Sequence, residues 1–112
     1  THGESAFMRA SRWLTEAEDE LAQLLSYVRE THGVSTARRV YDKLMERIDP
    51  LVVMPDLGTL DTSLHHDGKP VRVLHSKHTR IIYTATESEV TILLLWDNRR
   101  NENDMQGLLA NR

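Results

Sequence analysis

The chain contains no cysteine. This excludes a disulfide framework and thiolate chemistry. It also lacks any apolar run approaching the roughly 20 residues that cross a bilayer; its longest, Val90 to Trp96, is far shorter. No secretory signal is visible, so the expected location is the cytoplasm, with no membrane partner. Aromatic residues are few (Phe7, Trp13, Tyr27, Tyr41, Tyr83 and Trp96), which leaves Leu, Val and Ile to build a core. Five scattered glycines form no phosphate-cradling loop. No repeat or low-complexity tract appears, and no cofactor is expected.

What is present fits one soluble domain. The 112 residues are 39% apolar and 28% charged, enough for one modest core. The formal net charge is -3, yet residues 69–100 hold six Lys or Arg against three Asp or Glu. A basic segment in an acidic chain favours an anionic partner, and it is equally compatible with an ordinary solvated surface.

Residues 1–7, "THGESAF", have no periodicity and read as an expression-tag remnant or disordered segment, with Met8 as a natural start. "MRASRWL" (8–14) reads as a short strand. "TEAE" (15–18) has the form of a capping box, with Thr15 and Glu18 bonding reciprocally. Ala17, Leu21, Leu24, Leu25 and Val28 recur at helical spacing, and Gly33 ends that helix. Ser35 is placed to cap a second helix carrying Ala37, Val40, Tyr41, Leu44, Ile48 and Leu51, which Pro50 stops near Asp49. The short link predicts an antiparallel helical hairpin.

Residues 55–70 are rich in Pro, Gly, Asp and Ser and read as a loop with an extended piece near Leu60 to Leu64. "VRVLHS", "TRIIYTAT" and "VTILLLW" then read as three strands of an antiparallel meander, the last buried on both faces. The fold class is α+β: a strand, a helical hairpin, then one sheet with the helices on one face. The domain spans 8–104, with 105–112 as a polar tail holding at most a final helical turn.

Arg72 and Arg80 are flanked by apolar neighbours and should point away from the core. If they share a face with Arg100, the three form a guanidinium cluster suited to phosphate oxygens. Strand-edge charges against aggregation are the alternative. His75 and His78 bracket the first hairpin turn and are candidate acid or base groups, or solvated turn histidines. They lack the companion ligands of a metal site, so none is expected. Tyr83 differs in parity from Arg80 and reads as a packed core residue. Trp96 closes the last strand as a core residue, and Asp97 can pair with Arg99.

In order and spacing, "AEDELAQLLSYVRE", "PDLG", "VRVL", "TRIIYTATESEVTILLL" and "WDNRRN" resemble the RelE/ParE superfamily of bacterial type II toxins over roughly residues 8–104. The resemblance implies a growth-inhibiting toxin, of the kind that stabilises plasmids, neutralised by a cognate antitoxin. A homodimer or a toxin–antitoxin hetero-oligomer fits it. Two activities follow from it. ParE-like members inhibit DNA gyrase and need no nuclease residues. RelE-like members are ribosome-dependent mRNA endonucleases. Under the second, the family's middle-strand arginine falls on Arg80, the one after the last strand on Arg100 or Arg99, and the first-strand basic position near Arg72. These become catalytic candidates, with His75 or His78 as acid or base. Under the first, Arg99, Lys77 and Trp96 are partner-contact candidates.

Two departures from the nuclease pattern put gyrase ahead. "NENDMQGLL" after the last arginine holds no Tyr or His, and the chain is net acidic where ribosome binding favours a basic surface. A small interaction domain without toxicity is a third reading.

Overall fold

The computed structural model describes residues 8–112; the expectation for residues 1–7 lies outside the described residues. Strand β1 (Ala10–Trp13) leads into helix α1 (Thr15–His32) and helix α2 (Val34–Ile48). Two 3-10 turns, Asp49–Val52 and Pro55–Leu57, carry the chain to β2 (Thr59–His66), β3 (Lys69–His75), β4 (Thr79–Ala85) and β5 (Glu89–Asp97). A last 3-10 turn (Glu102–Asp104) precedes α3 (Met105–Ala110). The five strands form one sheet in the order β1-β5-β4-β3-β2. Only β1 and β5 run parallel; the remaining pairs are antiparallel.

The expected α+β architecture is present, with local differences that have physical reasons. Leu14, not Thr15, caps α1, and no side chain completes a capping box. The Leu14 amide is already bonded to the Ile92 carbonyl as a continuation of β1, so extended backbone passes directly into helix. Gly33 alone links the helices. Its φ of 93° is open to glycine at no steric cost, so the chain reverses in one residue and α2 starts before Ser35 can cap it. Pro50 falls just past α2, which ends at Ile48.

The segment read as a loop with an extended piece near Leu60 to Leu64 supplies a whole strand around that piece. β2 and β3 are joined by Asp67 and Gly68, at φ 53° and 74°, the two left-handed positions of a tight hairpin turn. The meander therefore has four strands rather than three. β2 is interrupted between Asp61 and His65, where the Asp61 carboxylate accepts from the Ser63 amide.

Each sheet face carries its own apolar cluster. On one side Ala17, Leu44, Ile48 and Leu51 of the helical region pack on Leu74, Ile81, Tyr83, Val90, Ile92 and Leu95. On the other, Val71, Val73, Ile82, Leu93, Leu94 and Trp96 are covered by Met105 and Leu109. The C-terminal residues expected to be a tail thus provide core. A bulge explains the run "LLL": Ile82 pairs with Leu94 and Tyr83 with Ile92, so Leu93 is an extra residue and lies on the same face as Leu94.

Candidate functional site

Arg72 lies directly opposite Tyr83 in the β3–β4 register, and Tyr83 belongs to the helix-side cluster. Arg80 lies opposite Trp96 across β4–β5, and Trp96 belongs to the other cluster. Because side chains alternate along a strand, Arg72 and Arg80 occupy opposite faces of the sheet. The three-arginine cluster on one face is therefore not assembled. Sequence alone could not settle this, because it depends on the hairpin register.

Arg72 and Tyr83 instead clamp the "PDLG" segment. The Tyr83 hydroxyl donates to the Pro55 carbonyl at 2.6 Å and accepts from the Gly58 amide at 2.8 Å. Arg72 donates to the Gly58 carbonyl at 2.8 Å and sits 3.3 Å from the Asp56 carboxylate. Gly58 is required by proximity, since a Cβ there would lie 2.7 Å from the Tyr83 ring and hydroxyl. Burial, chiefly, raises the Tyr83 pKa above its ordinary 10.0. Tyr83 is fully buried, as its parity predicts.

The remaining candidates gather at the far end of β4 and β5. Arg80 donates to Glu102 at 2.8 Å. The Arg100 guanidinium stacks 4.3 Å above the Trp96 ring. Trp96 is itself wholly buried, which corrects its assignment as a partner contact: beneath Arg100 it supports a cation instead of meeting a second protein. Arg99 binds Asp97 through Nε and Nη2, the latter at 2.6 Å, and lies 5.7 Å from the Tyr27 ring. Hydrogen bonding to Arg99 holds the Asp97 carboxyl below its usual range and raises the Arg99 pKa in turn. Glu20, Gln23, Leu24, Tyr27, Leu95 and Asp97 line a hollow of about 250 Å³ here with Arg99 and Arg100.

His75, Lys77 and His78 are exposed around the β3–β4 turn. His75 lies opposite Arg80, and its carbonyl accepts two bonds from Arg47. Among the described residues neither imidazole is oriented by a side-chain hydrogen bond. No group of three or more His, Asp or Glu is placed to hold a metal among them.

Sequence reasoning missed two polar devices. β1 stops pairing at Ile92, leaving the following β5 backbone open on that side. Glu20 accepts from the Leu95 amide at 3.1 Å, and Arg112 donates to the Leu93 carbonyl at 2.8 Å. The two side chains, 18% and 8% exposed, join each other in a two-point pair at 2.8 and 2.7 Å. This pairing raises the Arg112 pKa despite burial. On β2, Gln106 donates to the His65 carbonyl and accepts from its amide, so a side-chain amide imitates a neighbouring strand. Residues 92 and 41 positions apart give no local signal of either contact.

These features define a small α+β protein with clamped loops and covered strand edges. The family model described as ParE toxin of type II toxin-antitoxin system, parDE, matches residues 12–102, and the chain belongs to that family within the RelE/ParE superfamily. A solved structure titled "Chromosomal ParDE TA system from P. aeruginosa" shares the fold, with a TM-score of 0.65 at 18% identity, covering 81% of this chain and 97% of that one. No curated protein matches the sequence.

Proposed function

We propose that the chain acts as a ParE-like toxin that inhibits DNA gyrase in the cytoplasm and is neutralised by a cognate antitoxin. The observation that carries this reading is the separation of Arg72 from Arg80 on opposite sheet faces, with each already facing a carboxylate. Stabilising a phosphorane-like transition state requires donors aimed at one point. Binding a protein target requires no such convergence. The absence of a membrane-crossing helix among the described residues is compatible with this location.

One observation favours the second reading, a ribosome-dependent mRNA endonuclease. Arg80 is the cross-strand partner of Trp96, on whose ring Arg100 stacks, so two of the three cations share a neighbourhood. Inducing the chain without antitoxin while pulse-labelling new DNA and new protein separates the two. Replication should stop first, with cells filamenting, and the joint substitution Arg80→Ala and Arg100→Ala should leave toxicity largely intact. Translation arrest within minutes, abolished by that double variant with antitoxin binding retained, would establish the nuclease instead.

A further inference from the structure

The C-terminal helix α3 covers only part of its sheet face. The rest is a trough of about 600 Å³ bordered by residues from all five strands. Its floor is aliphatic and hydroxylic, formed by Leu14, Leu93, Thr84 and Thr91. Its rim is basic. Arg12 stands on the β1–β5 side and Lys69 on the β2–β3 side; Arg112 also lines it but is already paired with Glu20, His66 lies beside Asp67, and Asp67 is the only carboxylate among the lining residues. Lys69 has no acidic partner within ion-pair distance among the described residues, and Arg12 has only a loose one, Glu89 at 3.7 Å. The His66 Nε2 is buried in this wall without a hydrogen-bond partner.

We infer that this trough binds an extended acidic segment of a protein partner, lying across the strands. Arg12 and Lys69 stand on strands three places apart in the sheet order. At roughly 4.8 Å per strand, that separation is about 14 Å, which an extended peptide covers in about four residues. Residues i, i+2 and i+4 of an extended chain point the same way. The segment therefore carries acidic side chains at i and i+4, toward Arg12 and Lys69, and an aliphatic one at i+2 over Leu93 and Leu14. A nucleic acid fits less well: the floor offers no aromatic face for a base. The inference rests on the proposed function only in assigning the segment to the antitoxin.

The test uses the whole chain and a synthetic heptapeptide, Gly-Glu-Ser-Leu-Ser-Glu-Gly, followed by amide chemical shifts. Shifts should concentrate at Thr84, Thr91 and Leu93. The Lys-for-Glu peptide should bind at least about tenfold more weakly, as reversal of charge complementarity demands. Lys69→Glu and Arg12→Glu should each weaken the acidic peptide several-fold, while Lys43→Glu, exposed on α2 and outside the trough, leaves it unchanged; thermal melts confirm that all three fold. Equal binding of both peptides, indifference to Lys69→Glu and Arg12→Glu, or no shifts at millimolar peptide would overturn the inference. So would an oligouridine that binds the same amides more tightly. None of these results depends on which process stops first in the pulse-labelled cells, so the two readings fail separately.

Discussion

The two faces of the sheet bury comparable clusters under very different covers. One lies beneath two long helices, Thr15–His32 and Val34–Ile48; the other lies beneath the six residues of Met105–Ala110. The first cover can rely on many side chains. The second has only Met105 and Leu109 fully buried, and it is fixed by polar contacts at its margins: Glu102 on Arg80, Gln106 on His65, Arg112 on Glu20. A short element can thus complete a core if directional bonds hold it in register.

The sharpest test of that equivalence is to remove one buried leucine from each cover. Leu44→Ala and Leu109→Ala each delete a side chain at most 2% exposed, and each should cost about 3 kcal/mol. Urea melts should show single transitions with similar losses. A loss for Leu109→Ala far below that for Leu44→Ala, with α3 amides exchanging freely, would make the second face an independent, weakly held layer.

The next effect concerns the pair that anchors the end of the short cover. Glu20→Ala leaves Arg112 and the Leu95 amide without their shared acceptor. Breaking a buried pair costs about 3–5 kcal/mol, and partial exposure of this one brings the expectation to about 2. The double variant with Arg112→Ala should lose less than the two single losses added together, since each single variant already breaks the same pair. Full additivity in a thermal-melt cycle would mean that the two residues act separately.

The same contrast explains what the sequence made legible. The helix-side cover announces itself by period: Ala17, Leu21 and Leu24, then Val40, Leu44 and Ile48, with Gly33 and Pro50 as punctuation. The strands "VRVL", "TRIIY" and "VTILLLW" are equally plain. β2 was legible only as an extended piece near Leu60 to Leu64, because polar residues surround its two leucines and a bulge breaks its alternation, although Asp67-Gly68 was the available hairpin signal. α3 was legible only as a final turn of helix in the tail, because six residues are too few to display a period. The arginines were identifiable as candidates, but their faces were not, since hairpin register decides whether Arg72 meets Tyr83 or stands beside Arg80.

Tyr83 sharpens the comparison from the helix side, where one hydroxyl does what several surface contacts do opposite. Tyr83→Phe keeps the ring and strands the Gly58 amide and Pro55 carbonyl, at a cost of about 1–2 kcal/mol. The folded-state pKa is raised, so this residue's contribution is complete below the unfolded value near 10.0 and is lost as pH rises through the folded one. Alkaline urea titrations should therefore narrow the gap between the parent and Tyr83→Phe. A gap that stays constant above pH 10.0 would mean the hydroxyl is not desolvated in the folded state.

The smallest effect is expected at Arg80. Its bond to Glu102 at 2.8 Å joins β4 to the turn before α3, but Glu102 is 65% exposed. Exposed ion pairs contribute about 0.2–1 kcal/mol after solvent screening. Arg80→Ala should fall in that range, and added salt should erase most of the difference from the parent protein. If the loss instead approached that of Glu20→Ala and resisted salt, Glu102 would be a principal anchor of α3. The short cover would then depend on Arg80 for its placement, and any change in toxicity on substituting Arg80 would have to be read against lost structure before being assigned to chemistry.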